Sequence, residues 1–328
     1  MPAAFVTGGT GFVGWHVANA LVEGGWSVRA LARGGPARRT GLEELAAEVV
    51  PGDLASPVEE LCRSLAGCAA VLHCAGLVRA RTLDEYRVVN VLGTERLLEA
   101  AGRACPEAVF VYVSSQAAAG PAREGRAVLE GDPPRPVSDY GLSKLEAERA
   151  VARKWTGAGI VLRPGVLYGP RDRGLLTYFR MAQRGVVPVP AARSRVQIGS
   201  VEDAALGIAR AAGRQDLAGR IGFLCDPDPV TVLEVARLVA SSGDRRVRFV
   251  QVPDAAVRLA GFLETLRERV TGESRPFNAD KTRELLAGDW LCDPGPMQRD
   301  LALPPPTPLE DGLRKTWEWY REKGWLSG

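Results

Sequence analysis

Short unbroken apolar stretches punctuate the first half of the chain, and each gives way to a longer segment of helical period. Ala3 to Thr7, Trp26 to Ala32, Ala69 to Cys74, Ala108 to Ser114 and Gly159 to Arg163 read as strands, each followed by a helix-forming stretch. Such alternation implies an α/β fold, a doubly wound parallel sheet covered on both faces. After Gly169 the pattern becomes irregular, with Pro- and Arg-rich pieces around "VVPVPAARSR" and "GESRPFN". That half is expected to form a smaller unit, partly interleaved with the sheet. No internal repeat or low-complexity tract interrupts the chain.

Two later helices are legible. Thr307 and Glu310 are spaced as a capping box with Pro308 at the first helical position, and Gly324 closes the helix. Leu309, Leu313, Trp317 and Tyr320 then share one face, which reads as core. Leu259, Phe262, Leu263, Leu266 and Val270 make a second apolar stripe, expected to pack internally or, failing that, to wall a greasy substrate pocket.

Composition narrows the class. The chain has 328 residues, 46% of them hydrophobic, which suits about two domains with a sizeable core. With 42 Lys+Arg against 39 Asp+Glu, the charges are nearly balanced and scattered, so no nucleic-acid or membrane footprint appears and a small-molecule partner is expected. The six cysteines form no CxxC pair, and only His16 and His73 are present to join them. They read as reduced, mostly buried thiols, with no metal site. No leader pattern and no apolar run long enough to span a bilayer occurs, so a cytoplasmic protein is expected.

The first strand runs into "TGGTGFVG". Gly9, Gly11 and Gly14 fit G-x-G-x-x-G, with Gly8 giving a second frame, between a strand and a helix that starts near Gly14. Without Cβ atoms such a turn takes positive φ and lets a pyrophosphate approach backbone N–H groups at a helix N-terminus. This is a Rossmann-type dinucleotide site. Residues 1–170 are therefore read as the dinucleotide-binding domain, rejoined by roughly 197–225, and residues 171–328 as mostly the substrate domain. The second strand, "SVRALARGG", places Ala32 and Arg33 where an NAD site usually carries an acid. With no carboxylate to repel a 2′-phosphate and Arg33 to clamp one, NADP is favoured over NAD, Arg38 and Arg39 assisting from downstream. In "GDL", Asp53 is suited to accept the adenine amino hydrogens, or to cap a turn.

"SDYGLSKLEAERAV" carries Tyr140 and Lys144 four apart at the start of a predicted helix, side by side. A phenol ordinarily titrates near ~10, so it moves protons near neutrality only if its anion is stabilised, as an adjacent ammonium would do. Ser115, ending the strand "VFVYVSS", is suited to hydrogen-bond the substrate oxygen. The glycine turn, the serine-ended strand and Tyr-x-x-x-Lys in this order are far more specific than any one alone.

Together with "HCAG" (73–76), "NVLGT" (90–94), "VSSQAAAG", "RPGVLYGP" and the terminal "WEWYREKGWL", these motifs resemble the extended short-chain dehydrogenase/reductase family over nearly the whole chain. The resemblance implies hydride transfer between a nicotinamide and a carbinol or carbonyl carbon, with Ser115, Tyr140 and Lys144 in the catalytic places. It also implies that Gly8, Gly11, Phe12, Val13, Gly14, Arg33, Asp53, Leu54, Ala75, Gly76 and Pro164 line the cofactor, that Lys144 holds the nicotinamide ribose, and that Asn90 supports the site. Two departures separate branches. Nucleotide-sugar enzymes of the family usually carry Asn where "RPGVLYGP" has Val166, and its sugar dehydratases follow the catalytic hydroxyl with Asp-Glu where Gln116 and Ala117 stand here. "VRALAR" and "RPGVLYGP" are instead similar to the dihydroflavonol reductases and 3β-hydroxysteroid dehydrogenases.

The first expectation is an NADP-dependent (otherwise NAD-dependent) oxidoreductase interconverting an apolar secondary alcohol and ketone. A nucleotide-sugar epimerase with transient oxidation at Tyr140 is the alternative, and a noncatalytic cofactor-binding protein the third. Arg123, Arg126, Arg171 and Arg173 are read as surface arginines rather than anion ligands. A homodimer is a family-level expectation only.

Overall fold

A computed structural model describes residues 1–33, 40–242, 246–273 and 277–326. In chain order the first half runs β1 (Ala3–Thr7), α1 (Phe12–Glu23), β2 (Ser27–Ala32), α2 (Thr40–Glu43), β3 (Glu48–Pro51), α3 (Val58–Leu65) and β4 (Ala70–His73). Next come α4 (Leu83–Tyr86), α5 (Gly93–Ala104), β5 (Val109–Val113), α6 (Gln116–Ala119), α7 (Asp139–Lys154) and β6 (Gly159–Pro164). The second half continues with β7 (Val166–Tyr168), α8 (Leu176–Gln183), β8 (Val186–Pro190), β9 (Arg195–Val196), β10 (Ile198–Ser200), α9 (Val201–Ala211), β11 (Ile221–Leu224) and β12 (Val230–Thr231). It closes with α10 (Val232–Ser241), β13 (Arg248–Val252), α11 (Asp254–Thr271), α12 (Ala279–Leu285), α13 (Gly295–Asp300) and α14 (Leu309–Glu322).

Seven strands form one sheet in the order β11-β6-β5-β4-β1-β2-β3, every pairing parallel. Alternate residues explain why it is covered twice. Ala4 and Val6 of β1 pack with Val17, Leu21, Ile208 and Ala211 of α1 and α9 on one face. Phe5 between them packs with Leu61, Leu97, Leu98 and Ala147 of α3, α5 and α7 on the other. Strands buried on both faces lose the polar alternation of a half-exposed sheet, and β5 is buried at every position.

The five strands expected in the first half are present within a residue or two. The edge strand β3, with Glu48 and Pro51 exposed and only Val49 and Val50 half-buried, does not stand out in the apolar pattern. β11 joins the sheet beside β6, paired from Ile221↔Val161 to Leu224↔Pro164. Around it the second half builds small two-stranded pieces, β7–β10, β9–β12 and β8–β13, packed with α8, α10 and α14.

Two expectations about helices are corrected. Thr307 does not cap α14: its backbone N–H and hydroxyl donate to Asp203 instead (2.8 and 3.0 Å), and the helix begins after Pro308 with no side-chain cap. A tertiary acceptor outcompeted the local one. The expected core face of α14 is present, Leu313 and Tyr320 being fully buried, and Gly324 ends the helix at φ +68°. Among the described residues the stripe on α11 does not pack inside, and it lines none of the cavities described below. Leu259, Phe262, Leu263, Leu266 and Val270 all face outward, because α11 buries its opposite side.

Candidate active site

The strand order reverses between β1 and β4, and the helices that follow these two strands, α1 and α5, lie on opposite faces of the sheet, which is where parallel α/β sheets open a crevice. The glycine turn fills one lip. Gly8 sits at φ +74°, and a Cβ on it would lie 2.7 Å from the Ala75 nitrogen, so only glycine lets the ends of β1 and β4 meet. Gly14 packs directly on the Gly8 carbonyl, holding the first turn of α1 against the strand. The helix starts at Phe12 rather than near Gly14, and the frame that bears the geometry is Gly8, Gly11 and Gly14; Gly9 lies against Leu42 and Ala30.

A groove of about 240 Å³ follows this lip, lined among others by Gly8, Gly11, Arg33, Asp53, Leu54, Ala75 and Gly76. Its bare backbone at Gly8 and Gly11, beside the N-terminus of a 12-residue helix, fits a dinucleotide pyrophosphate. Phe12 instead meets the His16 ring edge-on, Val13 packs into the core, and Pro164 ends β6 beside Leu224. The expectation that no carboxylate stands near the ribose is corrected. β3 brings Asp53 to 3.4 Å from Arg33, so a 2′-phosphate would meet an acid as well as a guanidinium. Arg38 and Arg39 lie outside the described residues.

Beside the groove, β1, β4, α5 and α7 hold a buried polar relay. His73 accepts from the Thr7 hydroxyl at Nδ1 (2.7 Å) and donates from Nε2 to Thr94 (2.8 Å), whose own hydroxyl donates to the Asn90 carbonyl (2.6 Å). Burial drives His73 down to about 3, with Lys144 adding, so the ring is neutral. Asn90 lies in a π-helical segment, Arg87–Leu92, a geometry that recurs at functional sites. Its amide clasps Leu77 by N–H and C=O (2.7 and 3.0 Å) and donates to Ser143 of α7 (2.9 Å), joining the groove wall to that helix.

On α7, Lys144 is buried and donates to the Val113 carbonyl at 2.6 Å, its ammonium 4.3 Å from the Tyr112 ring. Burial pushes it down to about 8, against the opposing pull of Glu148 one turn on. Glu148 itself takes two hydrogen bonds from Arg163 (2.9 and 2.6 Å) and one from Ser114, a fully enclosed fork. Burial pushes the Tyr140 phenol up to about 12, with hydrogen bonding from Ser115 pulling down and Glu284 pushing up. Ser115 also caps α6, accepting from the Ala117 N–H at 3.2 Å.

Ser115 and Tyr140 open on a second, larger cavity of about 370 Å³. Val166, Ile198, Val235, Ala236, Val239 and Trp290 supply its greasy walls, with Lys281 and Glu284 at the Tyr140 end. Four positions there were not singled out as site residues from sequence. Gln116 lines this cavity with a buried Nε2 that has no partner among the described residues. From α12, Asp280 accepts the Asp139 and Tyr140 backbone N–H groups (2.7 and 3.2 Å), while Glu284 accepts from Ser138 (2.6 Å) and from Lys281 (2.7 Å). Asp280 thus satisfies the open N-terminus of the tyrosine-bearing helix from outside it, and Glu284 fixes the Ser138 hydroxyl that caps the same helix by accepting from the Gly141 N–H. No motif announces them, because the pairing spans more than a hundred residues. Of the arginines read as surface groups, Arg126 pairs with Asp132, and Arg171 and Arg173 lie over Trp15 and Trp325.

Residues 4–221 match the model of the NAD dependent epimerase/dehydratase family. The chain belongs to that family. It is an NAD(P)-dependent oxidoreductase of the extended short-chain type, with the parallel sheet its relatives share. Over 98% of the chain and 95% of the relative it is 36% identical to a ceramide reductase of Caulobacter vibrioides (strain NA1000 / CB15N). It is 32% identical to a 4-hydroxy-2-methyl-3-oxo-4-farnesyl-3,4-dihydroquinoline-1-oxide ketoreductase of Stigmatella aurantiaca, covering 83% of the chain and 82% of that protein. Among solved structures, MoeE5 in complex with UDP-glucose and NAD superposes with a TM-score of 0.78 at 25% identity, over 98% and 99% of the two chains. Among the described residues no helix is long and apolar enough to cross a membrane.

Proposed function

We propose that this family member interconverts a secondary alcohol and a ketone on a hydrophobic small molecule, using Ser115, Tyr140 and Lys144. The observation that carries the reading is the second cavity: a phenol and a serine hydroxyl open on a space walled for the most part by apolar side chains, with Gln116, Lys281 and Glu284 as its polar exceptions beside them. Similarity to a ceramide reductase and to a farnesyl-bearing quinoline ketoreductase supports it.

In this reading residues 1–170, rejoined by about 197–225, hold the dinucleotide, and 171–328 for the most part hold the substrate. Gly8, Gly11, Arg33, Asp53, Leu54, Ala75 and Gly76 line the dinucleotide; Gly14, Phe12, Val13, Asn90 and Pro164 shape the groove from behind or from its end. The bound dinucleotide supplies hydride in reduction and accepts it in oxidation. Tyr140 is protonated at neutral pH and donates its proton to the carbonyl oxygen, which Ser115 holds by a second hydrogen bond. By the family resemblance the buried Lys144 ammonium, fixed by the Val113 carbonyl, is the group that lowers the cost of the phenolate left behind; in the resting site the phenol is set by burial, Ser115 and Glu284. Gln116 offers its open N–H to a polar group of the substrate. Arg33 favours NADP, provided the 2′-phosphate displaces Asp53 from it.

The test is titration of the purified chain with NAD and NADP, followed by a panel of apolar ketones and alcohols and of nucleotide sugars, monitored by absorbance of the reduced nicotinamide. Net consumption with an apolar ketone is expected. Product formation from a nucleotide sugar with no net cofactor turnover would favour an epimerase instead.

A further inference from the structure

We propose that α11 is a membrane-surface helix, seating this protein on the anionic face of a phospholipid bilayer. At 3.6 residues per turn, Val257, Gly261 and Glu268 mark its buried side. That side is fastened to the chain behind it: a Cβ on Gly261 would strike Thr282 of α12, Thr265 accepts from the Ala279 N–H at 2.9 Å, and Asn278 donates to Glu268 at 3.3 Å. Leu259, Phe262, Leu263, Leu266 and Val270 fall on the opposite side, pointing straight away from the protein. Phe262 is 62% exposed and Val270 81%. Scattered exposed apolar residues need no explanation; five large ones in one continuous stripe do.

The charges on the flanks name the occupant. Arg258 and Arg269 run along one edge of the stripe and Arg267 along the other, all exposed. The acids of the same helix lie elsewhere: Asp254 at its start, Glu264 toward the buried side at 3.9 Å from Arg267, and Glu268 buried. An outward apolar strip bordered on both sides by arginines fits the boundary between acyl chains and phosphates, with long cationic side chains reaching up to the headgroups. A second copy fits it poorly. Antiparallel packing of two such helices about the middle of the stripe would set Arg258 of each beside Arg269 of the other.

The surface lies one helix layer from the apolar cavity, since α11 packs on α12, which lends Lys281, Glu284 and Leu285 to the cavity wall. The inference stands on α11 itself and survives if the proposed chemistry fails.

The test is co-sedimentation of the full chain with phosphatidylcholine vesicles, with and without phosphatidylglycerol. Binding to the anionic vesicles is expected, weakening as salt shortens the screening length. Phe262→Ser with Leu266→Ser is expected to lower the partition at least about tenfold, with an unchanged thermal melt because both side chains are exposed. Arg258→Glu with Arg269→Glu is expected to remove the preference for phosphatidylglycerol. The proposal is overturned if neither vesicle carries the protein down, if the serine pair leaves vesicle binding unchanged, or if light scattering finds a dimer that the serine pair abolishes while vesicles are ignored.

Discussion

The two walls of the crevice are built on different terms. On the sheet side most polar groups are committed: His73, Thr94, Asn90 and Ser143 form one relay, and Lys144 and Glu148 are held by a carbonyl and a bidentate guanidinium, while the buried Tyr112 hydroxyl has no partner among the described residues. On the far side the wall is mostly aliphatic, from Val196 and Ile198 through Val232, Val235 and Val239, with few directed bonds. Fixed hydrogen bonds hold reacting groups to a narrow geometry, whereas aliphatic walls select by size and polarity alone. One wall thus sets what reaction is possible, and the other sets what molecule undergoes it.

Variants on the two walls should separate these roles. Tyr140→Phe is expected to lower turnover by roughly a thousandfold or more while dinucleotide affinity stays within a few fold, read by steady-state rates and fluorescence titration. Near-normal turnover would take Tyr140 out of the mechanism and erase the contrast. Glu148→Ala leaves Arg163 buried without its partner and is expected to cost about 3–5 kcal/mol of stability, read by urea denaturation. Acid adds to that wall's burden. His73 titrates near 3 when folded and near ~6.5 when unfolded, so the unfolded chain binds the proton first. Stability is therefore expected to fall as pH drops from about 6.5 toward 3, by up to roughly 1.4 kcal/mol per pH unit from this group. His16, also lowered by burial, acts in the same direction.

Ala236→Phe on the aliphatic wall is expected to lower kcat/KM for bulky ketones about tenfold while sparing small ones and leaving dinucleotide binding unchanged. Equal loss on all substrates would deny that wall its selective role. Arg33→Ala should give the smallest change, weakening NADP by roughly three- to fivefold and NAD hardly at all, because the exposed guanidinium already shares itself with Asp53.

The same contrast explains what could be read in advance. Buried parallel strands write themselves as apolar runs, and the turn from Gly8 to Gly14 needs residue types that nothing else requires in that order. The sheet and its crevice lip were therefore legible. The far wall depends on pieces as short as the two residues of β9 and β12, whose pairing no local period encodes. Asp280 and Glu284 reach α7 only through the tertiary fold, and Thr307 found Asp203 for the same reason. The sequence suits Asp53 to the adenine, but its approach to Arg33 follows only from β3 lying beside β2. The stripe on α11 was visible as apolar; which way it faced was not.

The central claim is that the phenol at the end of the aliphatic cavity serves net redox chemistry on an apolar carbonyl. Its most direct test is mass spectrometry of the alcohol formed when reduced nicotinamide carrying deuterium at its transferable position is mixed with the chain and an apolar ketone. One deuterium at the carbinol carbon, and almost none with Tyr140→Phe, is the predicted result. Absence of label from every apolar alcohol, with nucleotide sugars inverted by a cofactor that never leaves, would contradict it.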